Sequence, residues 1–160
     1  MVIPAQEKEA IFEKILARIE QVLQLPVSVE ERLHHVCELL AEQVPYYHWV
    51  GFYLVDSQSP RELVLGPFVG EPTEHTRIPF GRGICGQAAE RGETFVVQDV
   101  SQETNYLSCS VHVRSEIVVP IFKEGKIVGG LDIDSHDLEP FSKEDQIYLE
   151  KICDRISQIL

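Results

Sequence analysis

Glu116-Ile117-Val118-Val119-Pro120-Ile121-Phe122, then Lys123-Glu124-Gly125, then Lys126-Ile127-Val128-Gly129-Gly130-Leu131-Asp132-Ile133-Asp134, reads as two strands joined by a tight turn. A three-residue connection with Gly at its last position fits a type I turn closed by a left-handed glycine. Pairing Phe122 with Lys126 sets Glu116 opposite Asp132, and Asp134, two residues on, points to the same face. The register therefore gathers three carboxylates on one side of a sheet. Like charges opposed across strands cost a few tenths to about 1 kcal/mol, so the cluster implies a cation, a shared proton or a functional demand. An ammonium ligand would satisfy it. The plainer reading leaves these side chains solvated on an open face.

Outward from this hairpin the chain reads helix, helix, strands, short helix, strands, helix. Glu7 to Leu23 places Ile11, Phe12, Ile15, Leu16, Ile19, Val22 and Leu23 on one helical face, and Pro26 ends the element. Ser28 caps a second helix, with Glu30 and Glu31 in its first turn and Val29, Leu33, Val36, Cys37 and Leu40 inward. Tyr46 to Val55 and Glu62 to Val69 read as strands, 70–83 as a loop, Ile84 to Glu90 as a short helix and Thr94 to Val97 as a brief strand. The stretch 98–113 has little periodicity, the mark of a lid or binding loop. Ser142 opens the last helix with Asp145 three residues on, a variant of the capping box, and Ile147, Leu149, Ile152, Cys153, Ile156 and Ile159 form its apolar side.

A chain of 160 residues, 44% of them hydrophobic, can bury one core without staples, so residues 1–160 are expected to form a single domain, with helices in 1–44 and the sheet, site loops and last helix in 45–160. The net charge of -12 makes nucleic acid and anionic membrane surfaces poor partners. The N-terminus lacks the pattern of a secretory signal and no apolar run is long enough to span a bilayer, so a cytoplasmic location is expected. Four cysteines in a reducing compartment are not a disulfide framework, and no spacing indicates a zinc site. Cys37 and Cys153 lie on helix core faces and read as packing. Cys85, in Gly81-Arg82-Gly83-Ile84-Cys85-Gly86, and Cys109, in Leu107-Ser108-Cys109-Ser110, fall on no clean apolar stripe and are the candidates for thiol chemistry.

Trp49-Val50-Gly51-Phe52-Tyr53, Leu65-Gly66-Pro67-Phe68, Arg77-Ile78-Pro79-Phe80 running into the Gly81–Gly86 segment, Ser115-Glu116-Ile117-Val118-Val119-Pro120 and Leu131-Asp132-Ile133-Asp134-Ser135 together resemble the free methionine-(R)-sulfoxide reductases, which are stand-alone GAF domains. The resemblance runs from about Trp49 to the C-terminus, in order and at compatible spacing. It implies an α+β, GAF-like fold: a central antiparallel six-stranded sheet with the N- and C-terminal helices on one face and the site-bearing loops on the other. It also implies reduction of free methionine-(R)-sulfoxide to methionine, with thioredoxin restoring the enzyme, no metal or organic cofactor, and a homodimer. Cys109 matches the family's nucleophile and Cys85 another redox cysteine. Trp49 matches the aromatic that contacts the substrate's methyl end. Glu116, Asp132 and Asp134 match the acids that hold the substrate and assist proton transfer, and Glu116 or Asp134 is the expected proton donor.

One position departs from the family. The cysteine usually found ten residues before the one in Gly-x-Cys-Gly is His75 here, so Cys85 would resolve a Cys109 sulfenic acid alone, through a Cys85–Cys109 disulfide. Something positive or polar must favour a Cys109 thiolate against the acidic cluster, and Arg114, His112, His75 and backbone N–H groups are the candidates. Two other readings stay open. One is a non-catalytic GAF domain that binds a small amino-acid-like ligand or senses oxidants through Cys85 and Cys109; the other is a metal site of His75, Cys85 and Cys109.

Overall fold

The computed structural model describes residues 2–108 and 110–160; Cys109, the expected nucleophile, lies outside the described residues. The helices are α1 (Ala5–Val22), α2 (Val29–Gln43), α3 (Gly83–Arg91) and α4 (Lys143–Ile156), and the strands β1 (Trp49–Asp56), β2 (Ser59–Val69), β3 (Arg77–Pro79), β4 (Phe95–Val97), β5 (Ser115–Lys123) and β6 (Lys126–Ser135). The strands form one antiparallel sheet in the order β3-β2-β1-β6-β5-β4. This is the expected α+β, GAF-like architecture. The segment read as a loop over 70–83 contains β3, a three-residue edge strand too short and too rich in proline nearby to carry an alternation signal.

Side-chain parity divides the sheet. Val50, Phe52, Ile117, Val119, Ile121, Leu131 and Ile133 face α1, α2 and α4 and form the main core with Phe12, Ile15, Leu33, Leu40 and Ile152. Trp49, Tyr53, Val97 and Val118 face the other way, where Ile84, Cys85 and Ala88 of α3 cover them. Both faces are buried, which is why β5 reads as a nearly continuous apolar run. The Ser28 hydroxyl accepts from the Glu31 N–H at 3.1 Å, capping α2 as expected. Val29, expected inward, sits in the exposed first turn instead.

The β5–β6 turn corrects the sequence register. Lys123 pairs with Lys126, leaving Glu124 and Gly125 as a two-residue turn with φ of 53° and 78°, the mirror-image geometry that matches strand twist. A bulge then places Val128 as an extra residue on β6 between the Ile121–Gly129 and Phe122–Ile127 pairs. Beyond it Glu116 lies opposite Asp134 and Val118 opposite Asp132. Pairing is thus two residues away from the expected one. A slip of two preserves the face, so the three carboxylates still point to one side.

A buried polar staple joins α1 to the start of α4. The Lys8 ammonium donates to Asp145 at 2.7 Å, to the Pro140 carbonyl and the Ser142 hydroxyl at 3.0 Å each, and lies over the Tyr46 ring. The Tyr46 and Tyr47 hydroxyls donate to the other Asp145 oxygen at 2.6 and 2.7 Å, while the Ser142 N–H closes the capping-box contact at 2.8 Å. Burial and then the Asp145 charge push both phenols above their ordinary range. Asp145→Ala would leave the Lys8 charge buried without its counter-ion. It is expected to cost about 3–5 kcal/mol of stability, measured by urea unfolding.

Candidate active site

The site lies on the α3 side of β1, β6 and β5. Across the central strands Trp49 stands opposite Asp134, Gly51 opposite Asp132, and Asp134 opposite Glu116. All of these side chains share one face, and Glu116, Asp132 and Asp134 are 4%, 1% and 1% exposed. The cluster is therefore not a solvated surface patch. Trp49 lies flat along the sheet, stacked on Phe68 with ring centroids 5.4 Å apart, and its indole N–H donates to the Glu71 carbonyl at 2.9 Å. A Cβ on Gly51 would come within 2.4 Å of the Trp49 ring, so the absence of a side chain at 51 is what lets the indole lie beside the carboxylates.

Cys85 lies in the first turn of α3, the short helix expected over Ile84 to Glu90, and is buried against the same sheet face. A Cβ on Gly86 would meet the Pro79 carbonyl at 2.5 Å, which shows how closely α3 approaches β3. The donor atoms of Cys85, Glu116 and Asp132 all lie within 4.8 Å of one another. Burial, followed by the charges of Asp132, Glu116 and Asp134, pushes the Cys85 thiol well above its ordinary value. Burial likewise raises Asp132, with hydrogen bonds from Glu116 and from the Cys85 thiol pulling the other way. Glu116, Asp132 and Cys85 thus form a compact group in which protons are shared and negative charge is disfavoured.

The stretch from Asn105 to Ser108 is pinned over this group. Asn105 accepts from the Gly83 N–H at 2.9 Å and donates to the Gly81 carbonyl at 2.7 Å, and Gln87 donates to the Asn105 carbonyl at 3.0 Å. Leu107 packs over Gly83. From the other side His75 Nε2 lies 2.9 Å from the Ser108 carbonyl, and the Tyr53 hydroxyl donates to the His75 carbonyl at 2.7 Å. These contacts hold the residues immediately before Cys109 beside Cys85. Between Tyr53, His75, Leu107, Cys85, Glu116 and Asp132 about 10 Å³ is left open.

Sequence reasoning singled out His75 as a departure but not its contact with Ser108, and it missed Asn105 altogether. A lone Asn in an aperiodic stretch carries no such signal. His112 and Arg114 turn elsewhere: the His112 ring is 5.8 Å from that of His136, itself stacked on His48 at 4.1 Å, and Arg114 lines a separate cleft with Ile3, Lys8 and Tyr46. Cys37 and Cys153 are buried in the core as expected, and burial raises both thiols. A larger groove of about 540 Å³ between α4 and β5 is lined by Glu93, Phe122, Gln146, Glu150, Cys153 and Asp154, but among the described residues a thiol and two carboxylates converge within 4.8 Å only at Cys85. No helix among the described residues is long and apolar enough to cross a membrane.

The fold and this site together define a GAF domain, and the GAF domain family model matches residues 26–160. GAF domain-containing protein A of Dictyostelium discoideum is 43% identical over 145 residues, covering 91% of this chain and 89% of that protein. Free methionine-R-sulfoxide reductase of Saccharomyces cerevisiae is 35% identical, over 94% of this chain and 86% of that protein. The X-ray structure of free methionine-R-sulfoxide reductase from Neisseria meningitidis in complex with its substrate superposes with a TM-score of 0.90 at 41% identity, over 99% of this chain and 94% of that one. This chain belongs to the free methionine-R-sulfoxide reductase family of GAF domains.

Proposed function

We propose that the chain reduces free methionine-(R)-sulfoxide to methionine with Cys109 as nucleophile, Cys85 as resolving thiol and a thioredoxin-type dithiol as reductant. The observation that carries this reading is the burial of Glu116, Asp132 and Asp134 beside the Trp49 ring. Carboxylates in so dry a place call for a cationic ligand, and an adjoining aromatic wall suits a thioether methyl. A free amino acid supplies both. The open space of about 10 Å³ holds at most a water-sized group, so substrate entry requires the segment carrying Leu107 and Ser108 to lift.

Thiolate attack by Cys109 on the sulfoxide sulfur, with Glu116 or Asp134 protonating the sulfoxide oxygen, passes that oxygen to Cys109 as a sulfenic acid and releases methionine. The Cys85 sulfur then attacks the sulfenic sulfur. The disulfide forms as the sulfenic S–O bond breaks, and the Cys85 proton, relayed through Asp132, leaves with the departing hydroxyl as water. An external dithiol takes over the disulfide and restores both thiols. With His112 and Arg114 turned away, the substrate ammonium itself is the charge that offsets the acidic field around the nucleophile. Exposed Leu25 and Val29 at the α1–α2 turn favour a homodimer through the helices, and a cytoplasmic setting would keep the thiols reduced.

With thioredoxin, thioredoxin reductase and NADPH, consumption of NADPH is expected on free methionine-(R)-sulfoxide and not on the S epimer or on peptide-bound sulfoxide. A peptide bond removes the ammonium, stranding buried carboxylates at a cost of about 2–5 kcal/mol, or roughly 30-fold to 4,000-fold in kcat/KM. Equal rates on a peptide would defeat the carboxylate argument. Stoichiometric oxidation of Cys85 and Cys109 by peroxide without any sulfoxide turnover would favour an oxidant sensor.

A further inference from the structure

We propose that Cys85, Glu116 and Asp132 bind a single zinc ion that competes with the amino-acid substrate, making zinc an inhibitor of this site and not its cofactor. The inhibitory part rests on the reductase reading; the binding part does not. One sulfur and two carboxylate oxygens converge within 4.8 Å of one another, all on buried side chains. Zinc bonds of about 2.3 Å to sulfur and 2.0–2.2 Å to oxygen set tetrahedral donors roughly 3.4–3.6 Å apart, so donors that already lie within 4.8 Å of one another have at most about 1.4 Å to close.

A second observation points to a ligand independently of the cluster. Asp132 Oδ1 is buried, on a residue 1% exposed, with no hydrogen-bond partner among the described residues, and Asp132 lines the small cavity with Cys85 and Glu116. A buried carboxylate oxygen without a donor is costly, and a cation is what relieves it. The cavity of about 10 Å³ has room for one ion with no movement of Leu107 or His75, whereas an amino acid needs the segment to lift.

The donor set selects the metal. A thiolate excludes the hard cations calcium and magnesium, and two carboxylates suit copper(I) poorly, while zinc takes sulfur and oxygen together. The three ligands come from α3, β5 and β6, elements packed together on one face of the sheet. On binding, the zinc–sulfur bond replaces the Cys85 S–H bond and the proton leaves to solvent. Zinc would then stand in place of the substrate ammonium between the carboxylates, and a Cys85 sulfur tied to it could not attack a sulfenic acid.

The test uses the full chain, stripped of metal and reduced. Titrating zinc chloride against a chromophoric chelator should give one zinc per chain, and free methionine sulfoxide should return that zinc to the chelator. Cobalt(II) in place of zinc should give a thiolate-to-metal band in the near ultraviolet that persists in Cys37→Ser and is absent in Cys85→Ser. Cys85→Ser and Asp132→Asn should each weaken zinc by about 100-fold or more, at least the upper cost of losing an outer partner of a ligand. No saturable zinc, a cobalt band that survives Cys85→Ser, or zinc indifferent to methionine sulfoxide would overturn the proposal. Turnover of the chelator-treated protein tests the reductase reading separately: activity without zinc binding sinks only the zinc site, and zinc binding without activity sinks only the reductase.

Discussion

Cys109→Ser is expected to release no methionine even in a single turnover, whereas Cys85→Ser should release one equivalent and then stall with Cys109 as a sulfenic acid. The asymmetry follows from the surroundings of Cys85. Burial, then Asp132, Glu116 and Asp134, hold that thiol protonated well above its ordinary value, so its thiolate population near neutrality is too small to open the reaction on a sulfoxide. As resolver it needs only to lose its proton as it attacks, and Asp132 accepts a hydrogen bond from that thiol. The first step then belongs to Cys109, and the second requires the two α-carbons to come within about 7 Å. Pinning of Leu107 over Gly83 and of Ser108 at His75 supports that approach. Methionine quantified from enzyme in excess over sulfoxide, with sulfenic acid trapped by dimedone, reads both variants. Methionine from Cys109→Ser would reverse the assignment; Cys37→Ser and Cys153→Ser should change stability and leave this step alone.

Much of this site was legible because the relevant signals are coarse. Face parity survives a register error of two residues, so Glu116, Asp132 and Asp134 could be grouped although the turn length and the Val128 bulge were not foreseen. Helical stripes located α1, α2 and α4 because each meets the same core, and the break in periodicity over 98–113 marked a stretch whose Asn105 and Leu107 lie against the start of α3. What stayed hidden depends on contacts between distant residues. Lys8 reads as a surface residue by type, and only the fold brings Asp145, Tyr46 and Tyr47 to it. β3 is too short for any period. The short helix holding Cys85 was legible, but its burial was not, because the flanking glycines leave that helix without a clean apolar stripe. Nor could His75 reveal its hold on Ser108, since a histidine's partner is set by the loop that folds over it.

Asp132→Asn is expected to lower kcat/KM by about 30-fold or more while leaving the ligand-free protein more stable than wild type at neutral pH. The loss follows from removing a buried charge that faces the substrate ammonium, worth about 2–5 kcal/mol at about 1.4 kcal/mol per tenfold. The gain follows from the same burial, which raises the Asp132 carboxyl and so opposes its ionisation in the folded state. A carboxyl with a raised folded value contributes stability that is full below its unfolded value and is lost as pH rises through the folded one. The gap between variant and wild type should therefore be widest at neutral pH and close as pH falls and Asp132 takes up its proton. Urea unfolding across that range, beside turnover with free methionine-(R)-sulfoxide, separates the two effects. A residue kept only for structure would lose stability with the charge, so an Asp132→Asn protein that is both inactive and less stable at neutral pH would remove Asp132 from the substrate site. An inactive but firmer protein would mark the carboxylate as held there against the fold's own preference, for the cation it binds.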